Sequence, residues 1–133
     1  MADGLLIFER SRRRTLGHEL DSEYVETFYL PTVGPTATLI LRKLHRLVPN
    51  PGDRACIPAA ALAAGLGISP KTSRHAPLMR ALHRLVRYDA LLVRGEDLFI
   101  VPTRLFDVSP ALRSCWHPSL VALHDTFTLN AAG

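Results

Sequence analysis

The sequence predicts a mainly α-helical fold with one small β-hairpin, and three observations support that expectation. Residues Pro77–Arg87 place apolar side chains at three- and four-residue spacing, which is typical of an amphipathic helix. The alanine-rich run Ala59–Ala64 has high helix propensity. Two short apolar segments, Leu91–Val93 and Leu98–Val101, flank a turn, and Gly95 at its first position favours a type II′ hairpin. The chain has 133 residues, of which 47% are hydrophobic, enough for one domain with a real core.

The first 34 residues predict peripheral elements. Leu5–Phe8 is a short apolar run that we interpret as an edge strand, and Ser11–Arg14 is a basic segment. Asp21–Leu30 mixes acidic with aromatic and aliphatic residues, which indicates a helix packed on the core. Leu30–Pro35 (LPTVGP) is a turn-rich boundary. Residues 1–34 are therefore expected to form an N-terminal arm that packs on the rest of the chain.

The first core helix is predicted over Pro35–Val48, where apolar residues recur at helical spacing. Its inward-facing residues are Ile40, Leu41, Leu44, Leu47 and Val48, and its outward-facing residues are Arg42, His45 and Arg46. The sequence NPGD at Asn50–Asp53 predicts a turn after this helix.

Two further helices are separated by a glycine-containing turn and a loop. In the first, Leu62, Ala63 and Leu66 form an apolar face, and Gly67 suits the left-handed conformation that ends a helix. The second, Pro77–Arg87, has proline at its first position, where a missing N–H is harmless. Its apolar stripe is Leu78, Ala81, Leu82, Leu85 and Val86, and its opposite face is Arg80, His83, Arg84 and Arg87, with no acid among them.

In this order, three helices and a hairpin make a winged helix-turn-helix, so residues 35–102 are expected to adopt that fold. The segment LAAGLGIS (62–69) resembles the first helix and turn of helix-turn-helix regulators, and MRALHRLVRYDALL (79–92) resembles the recognition helix of GntR- and MarR-type winged regulators. The resemblance implies a dimer on a pseudo-palindromic DNA site, with Arg94–Asp97 at the wing tip. The loop Ser69–Ala76 departs from it, because it is several residues longer than the usual tight turn.

Charge is concentrated in one part of the chain. Residues 36–94 hold ten Lys/Arg and two acids, a net charge of +8, whereas residues 1–35 and residues 95–133 each carry −2. Such clustering is the electrostatic footprint of a phosphate-binding surface. Winged helices that bind proteins can also be basic, so the charge favours nucleic acid without excluding a protein partner.

These observations predict a double-stranded DNA-binding protein that regulates transcription and reads the major groove with Pro77–Arg87. Arg80 and Arg84 are expected at base edges and Arg87 at a phosphate, unless the loop continues the helix and gives the base contacts to Lys71 and Arg74. The full set of candidate DNA-binding residues is Lys71, Thr72, Ser73, Arg74, His75, Arg80, His83, Arg84, Arg87 and Arg94.

The alternative hypothesis is a protein–protein interaction module that docks on a larger assembly such as RNA polymerase. Acidic Glu96 and Asp97 at the wing tip favour it, because they would repel a phosphate backbone.

The last segment, residues 103–133, is expected to be a helical extension. Two helix starts, Ser109-Pro110 and His117-Pro118, precede an apolar face. Its residues Trp116, Leu120, Leu123 and Phe127 are expected to pack on the core or in a two-fold interface.

The sequence contains little that indicates a catalytic function. There is no glycine-rich phosphate loop and no GxSxG elbow. Four residues, Cys115, His117, His124 and Asp125, invite a metal or nucleophile interpretation, but Pro118 interrupts a helix between the two histidines. Cys56 and Cys115 fit no metal spacing and indicate free thiols of a cytoplasmic protein, and no apolar run approaches a membrane span. We therefore expect neither an enzyme nor a cofactor.

Overall fold

A computed structural model describes residues 4–71, 73–95 and 97–132. A π-helical turn, Val25–Tyr29, leads directly into the first α-helix. The elements in chain order are β1 (Leu5–Arg10), α1 (Leu30–Val33), α2 (Pro35–Leu47), β2 (Arg54–Pro58), α3 (Ala59–Gly65), α4 (Pro77–Arg87), β3 (Leu92–Arg94), β4 (Leu98–Val101), α5 (Pro110–Arg113) and α6 (Pro118–Ala132).

The four strands form one mixed sheet in the order β2-β1-β4-β3. β1 pairs antiparallel with β2, with Phe8 opposite Ala55, and parallel with β4, with Phe8 opposite Phe99. Along β1, Leu6, Phe8 and Arg10 are buried in alternation with more exposed residues. One face of the sheet therefore packs on the helices.

The expectation of a mainly α-helical chain with only a hairpin wing is wrong. The described residues form an α/β fold with six α-helices and a four-stranded mixed sheet, and they do not show a winged helix-turn-helix. Two strands account for the difference: β2 was not predicted, and β1, predicted as an edge strand, lies between two neighbours. Their pairing joins residues about 50 and about 90 positions apart in the chain, and local periodicity carries no information about such partners.

Several local predictions are confirmed. α4 has the predicted bounds, and α2 ends one residue before the predicted Val48. Gly67 has φ 72°, and its N–H donates to Ala64 while the N–H of Ile68 donates to Ala63. These two bonds form a Schellman motif that ends α3.

The boundary predicted at Leu30–Pro35 is wrong for most of its length, since Leu30–Val33 is helical and only Gly34 breaks the chain before α2. Pro31 lacks an N–H to continue an α-helical ladder, which is consistent with the wider π-helical turn that precedes it.

The core joins the first and last segments of the chain to the middle. Phe28 stacks on Trp116 with ring centroids 5.7 Å apart and meets Phe127 edge-on at 5.6 Å. Trp116, Leu120 and Phe127 are partly buried against the core, whereas Leu123 is half exposed. Packing of the tail on the core is thus observed for three of its four predicted residues. The division into 1–34, 35–102 and 103–133 stays a prediction.

Within the part of the chain that the structure describes, no helix has the length and apolar character needed to cross a membrane.

Candidate nucleic-acid interface

The outer face of α4 is a row of exposed cations, and burial of the opposite face determines its direction. The residues Leu78, Met79, Ala81, Leu82 and Leu85 are buried, so the opposite face of the helix points away from the core. After Pro77 at the helix start, the exposed residues are Arg80, His83, Arg84 and Arg87. The helix begins at Pro77 and ends at Arg87, followed by its C-cap Tyr88 and by Asp89 with φ 59°.

Two residues of the preceding loop join this row. Arg74 and His75 line an open concavity of about 360 Å³ together with Arg80, His83, Arg84 and Arg87. None of the described residues that line it is acidic. Four guanidinium groups around one concavity produce a positive potential that attracts a polyanion.

Arg84 differs from its neighbours because part of its guanidinium already has a partner. Its Nη1 donates to the carbonyl oxygen of Val33 at 3.2 Å, at the end of α1. The same atom would lie 3.2 Å from a Cβ at Gly34. Arg84 therefore ties α4 to the α1–α2 junction, whereas no side-chain hydrogen bond of Arg80 is found among the described residues.

The other described residues of the loop do not line the concavity. Lys71 and Ser73 are exposed, and the carbonyl of Ser73 accepts the N–H of Ala76 just before α4 begins. Thr72 lies outside the described residues. The loop does not continue α4, which starts at Pro77, so Arg74 reaches the concavity from a turn rather than from an added helical turn.

The hairpin contributes little to this surface. Arg94 is exposed on β3 but does not line the concavity. Gly95 has the positive φ of 69° expected for a glycine at the start of a turn, but Arg94 pairs with Leu98, so three positions separate the paired residues instead of the two of the predicted type II′ turn. Glu96 lies outside the described residues. The carbonyl of Asp97 accepts the N–H of Ile7 at 3.0 Å, so the hairpin is anchored to the sheet.

The C-terminal cysteine and histidines are dispersed. Cys115 and His117 are exposed, whereas His124 is buried with its Nε2 2.6 Å from Tyr24 Oη. Burial, and next the charge of Arg113, lower the pKa of His124. Among the described residues no three His, Cys, Asp or Glu side chains form a group able to hold a metal ion.

Sequence reasoning missed a second cluster of cations, Arg10, Arg14 and Arg104, at the far end of the sheet. The signal was present in β1, where Arg10 follows Leu6 and Phe8 at the two-residue period of the buried face. Because this period places every second residue of β1 on the buried face, it predicts a buried side chain for Arg10.

Comparison with protein-family models, with curated proteins and with solved structures returned no match for this chain. The expected relationship to GntR- and MarR-type regulators therefore stays a prediction.

Proposed function

We propose that the protein binds double-stranded DNA through α4 and the residues before it, and that it regulates transcription. The observation that carries the proposal is the concavity lined by Arg74, His75, Arg80, His83, Arg84 and Arg87, with no acid among its described lining residues.

The dimensions of α4 suit the major groove. Its 11 residues extend over about 16 Å, and the groove is about 12 Å wide, enough to admit a helix. Arg80 is the residue we assign to a guanine edge, because its guanidinium is exposed and can donate two parallel hydrogen bonds. Arg74 and Arg87, at the two ends of the basic row, are assigned to phosphates.

The salt dependence of DNA affinity tests this assignment. Wild-type protein should bind a fluorescent random-sequence duplex with an affinity that falls steeply as salt rises, because each phosphate contact releases counterions. Arg87→Gln should reduce the slope of log K against log salt by about 1. The matched control is Arg46→Gln, an exposed helical arginine on α2 outside the concavity, which should leave the slope unchanged. Folded protein that binds no duplex at low salt would overturn the proposal.

A second candidate is a protein-docking module, favoured by an apolar groove between α2 and α3. The groove has a volume of about 320 Å³ and includes Leu47 and Ile57, with Lys43 and Arg46 among its lining residues. Exposed apolar surface rimmed by charge is typical of a protein interface. If duplex DNA does not bind, protein docking at this groove becomes the proposed function.

We also propose that the protein is a cytoplasmic homodimer and not an enzyme. An outer strand favours association, since among the described residues β4 is the only neighbour of β3 in the sheet, and Leu92 and Val93 of β3 are 52% and 46% exposed. Sedimentation equilibrium measures the mass directly, and a monomer at all concentrations would contradict this part of the proposal.

A further inference from the structure

A second basic concavity opens where β1 and β4 end. These strands are parallel, so their carboxyl ends meet at one edge of the sheet, and Ser11 N–H donates to Val101 at 2.8 Å just beyond them. The concavity has a volume of about 430 Å³, and its charged lining residues are Arg10, Arg14, Arg104 and Glu19. In open α/β sheets, ligands bind outside the carboxyl ends of strands.

Arg10 is the unusual residue of this concavity because it is only 3% exposed and has no carboxylate partner. Its Nη1 donates to Val48 O at 3.0 Å and lies 3.4 Å from His45 Nδ1, and its Nη2 donates to Thr103 O at 2.8 Å. Its Nε is buried without a hydrogen-bond partner. No ion pair joins Arg10 to any acid in residues 4–71, 73–95 and 97–132.

Among the described residues no carboxylate contacts this buried guanidinium, because the imidazole of His45 lies between it and Asp21. Two carbonyl oxygens and an imidazole nitrogen supply partial negative charge only, and removing a cation from water without a counter-ion in contact costs several kcal/mol. Burial lowers the pKa of Arg10, and the more distant charges of Glu19, Asp21 and Asp53 oppose that effect. A bound anion would supply the missing counter-charge.

Threonine hydroxyl groups join the two chain segments that carry the other two arginines. Thr15 N–H donates to Thr103 Oγ1 at 2.8 Å, and Arg104 N–H donates to Thr15 Oγ1 at 2.9 Å. These bonds hold the backbone beside Arg14 against the backbone of Arg104, so the two side chains start from fixed positions, which lowers the entropic cost of binding a ligand.

Glu19 is the one acid among the described lining residues, and its Oε1 lies 3.4 Å from Arg104 Nη2. Both side chains of this pair are about half exposed, so the pair is weak and an incoming anion can compete for Arg104. Three arginines face one glutamate, which leaves a positive excess in the concavity.

We propose that this concavity is a binding site for a phosphate-type oxyanion, with Arg10 as its buried cation and Arg14 and Arg104 as the accessible ones. The site does not depend on α4 or on the proposed DNA binding. The phosphate group can belong to a free small molecule or to a nucleic-acid backbone, and guanidinium groups suit either source.

Calorimetric titration with pyrophosphate, at an ionic strength held constant with chloride, tests the site. Saturable binding is expected, with a loss of roughly tenfold or more in affinity for Arg14→Gln and for Arg104→Gln. The matched control is Arg13→Gln, an exposed neighbour on the same segment whose side chain does not line the concavity, and its affinity should equal that of wild type. Glu19→Gln should bind more tightly, because it removes a competing negative charge.

If pyrophosphate does not bind, or binds without saturation, the proposed site is wrong. It is also wrong if Arg13→Gln loses as much pyrophosphate affinity as Arg14→Gln and Arg104→Gln. A repeat with duplex DNA separates the two sources of phosphate. If Arg14→Gln weakens both ligands, the site takes a backbone phosphate; if it weakens pyrophosphate alone, the site takes a free ligand. Both results support the site. Because pyrophosphate binding is measured without DNA, a failure of this site can be distinguished from a failure of the proposed DNA binding by α4.

Discussion

At the scale of single residues, the surroundings of each arginine determine what it does. Arg80 is exposed on α4, Arg84 donates from one nitrogen to a carbonyl oxygen, and Arg10 is buried against two carbonyl oxygens and His45. Composition gives all three the same charge. The sequence signal that was missed for Arg10 is the two-residue period of Leu6 and Phe8, which Arg10 continues.

Arg84 and Arg80 should therefore respond differently to removal. Arg84→Ala loses the hydrogen bond to Val33 O and should lower the free energy of unfolding by about 1 kcal/mol as well as weaken DNA binding. Arg80→Ala should weaken DNA binding with a change in stability below about 0.5 kcal/mol. Urea denaturation of both variants measures the difference, and equal stability losses would contradict the structural role of Arg84.

His124 should make the fold sensitive to acid. Its pKa is lowered from 6.5 in the folded state, first by burial and then by Arg113. Above pH 6.5 the imidazole is neutral in both states, and its contribution to stability is complete. As the pH falls through 6.5, the unfolded chain binds a proton that the folded chain resists, so the free energy of unfolding decreases until the lowered pKa is passed.

Urea denaturation of wild type and His124→Gln from about pH 8 to about pH 5 measures this effect. The difference between the two proteins isolates His124 from the other histidines of the chain, such as His18, whose Nε2 lies 2.6 Å from Asp107. Exposed His117→Gln is the control and should keep the wild-type profile. A wild-type acid sensitivity that persists in His124→Gln would show that another group causes it.

At the scale of elements, α2 and α4 were predictable because their information is local. Each has an apolar stripe of helical period, a proline at its start and bounds within one residue of the prediction. β2 is different, since its residues Ala55 and Ile57 are only partly buried and its partner β1 lies about 50 positions away in the chain. Short strands of this kind become recognisable only with their partner in place.

Packing of α4 can be tested by truncating its buried stripe. Leu82→Ala should lower the free energy of unfolding by about 2–5 kcal/mol, since Leu82 is fully buried and α4 packs on α2. The control is Leu39→Ala, a helical leucine that is 49% exposed, for which a change below about 1 kcal/mol is expected. Chemical denaturation compares the two, and similar losses would contradict the orientation of α4.

At the scale of the whole molecule, the two basic concavities could be predicted only in part. The charge distribution located the basic part of the chain between residues 36 and 94, and α4 indeed presents its cations together. The second cluster unites Arg10 and Arg14 with Arg104, about 90 positions away, and depends on the parallel pairing of β1 with β4. Because local sequence patterns do not reveal which strands pair, the cluster could not be predicted from them.

The α4 concavity is the surface that we propose to bind duplex DNA. Amide chemical-shift mapping of ¹⁵N-labelled protein, titrated at low salt with a short random-sequence duplex, locates the bound surface residue by residue. We expect the largest perturbations on Arg74, His75 and the exposed residues of α4. Perturbations confined to α2, α3 and β2, or no perturbation with folded protein and duplex in excess, would contradict it.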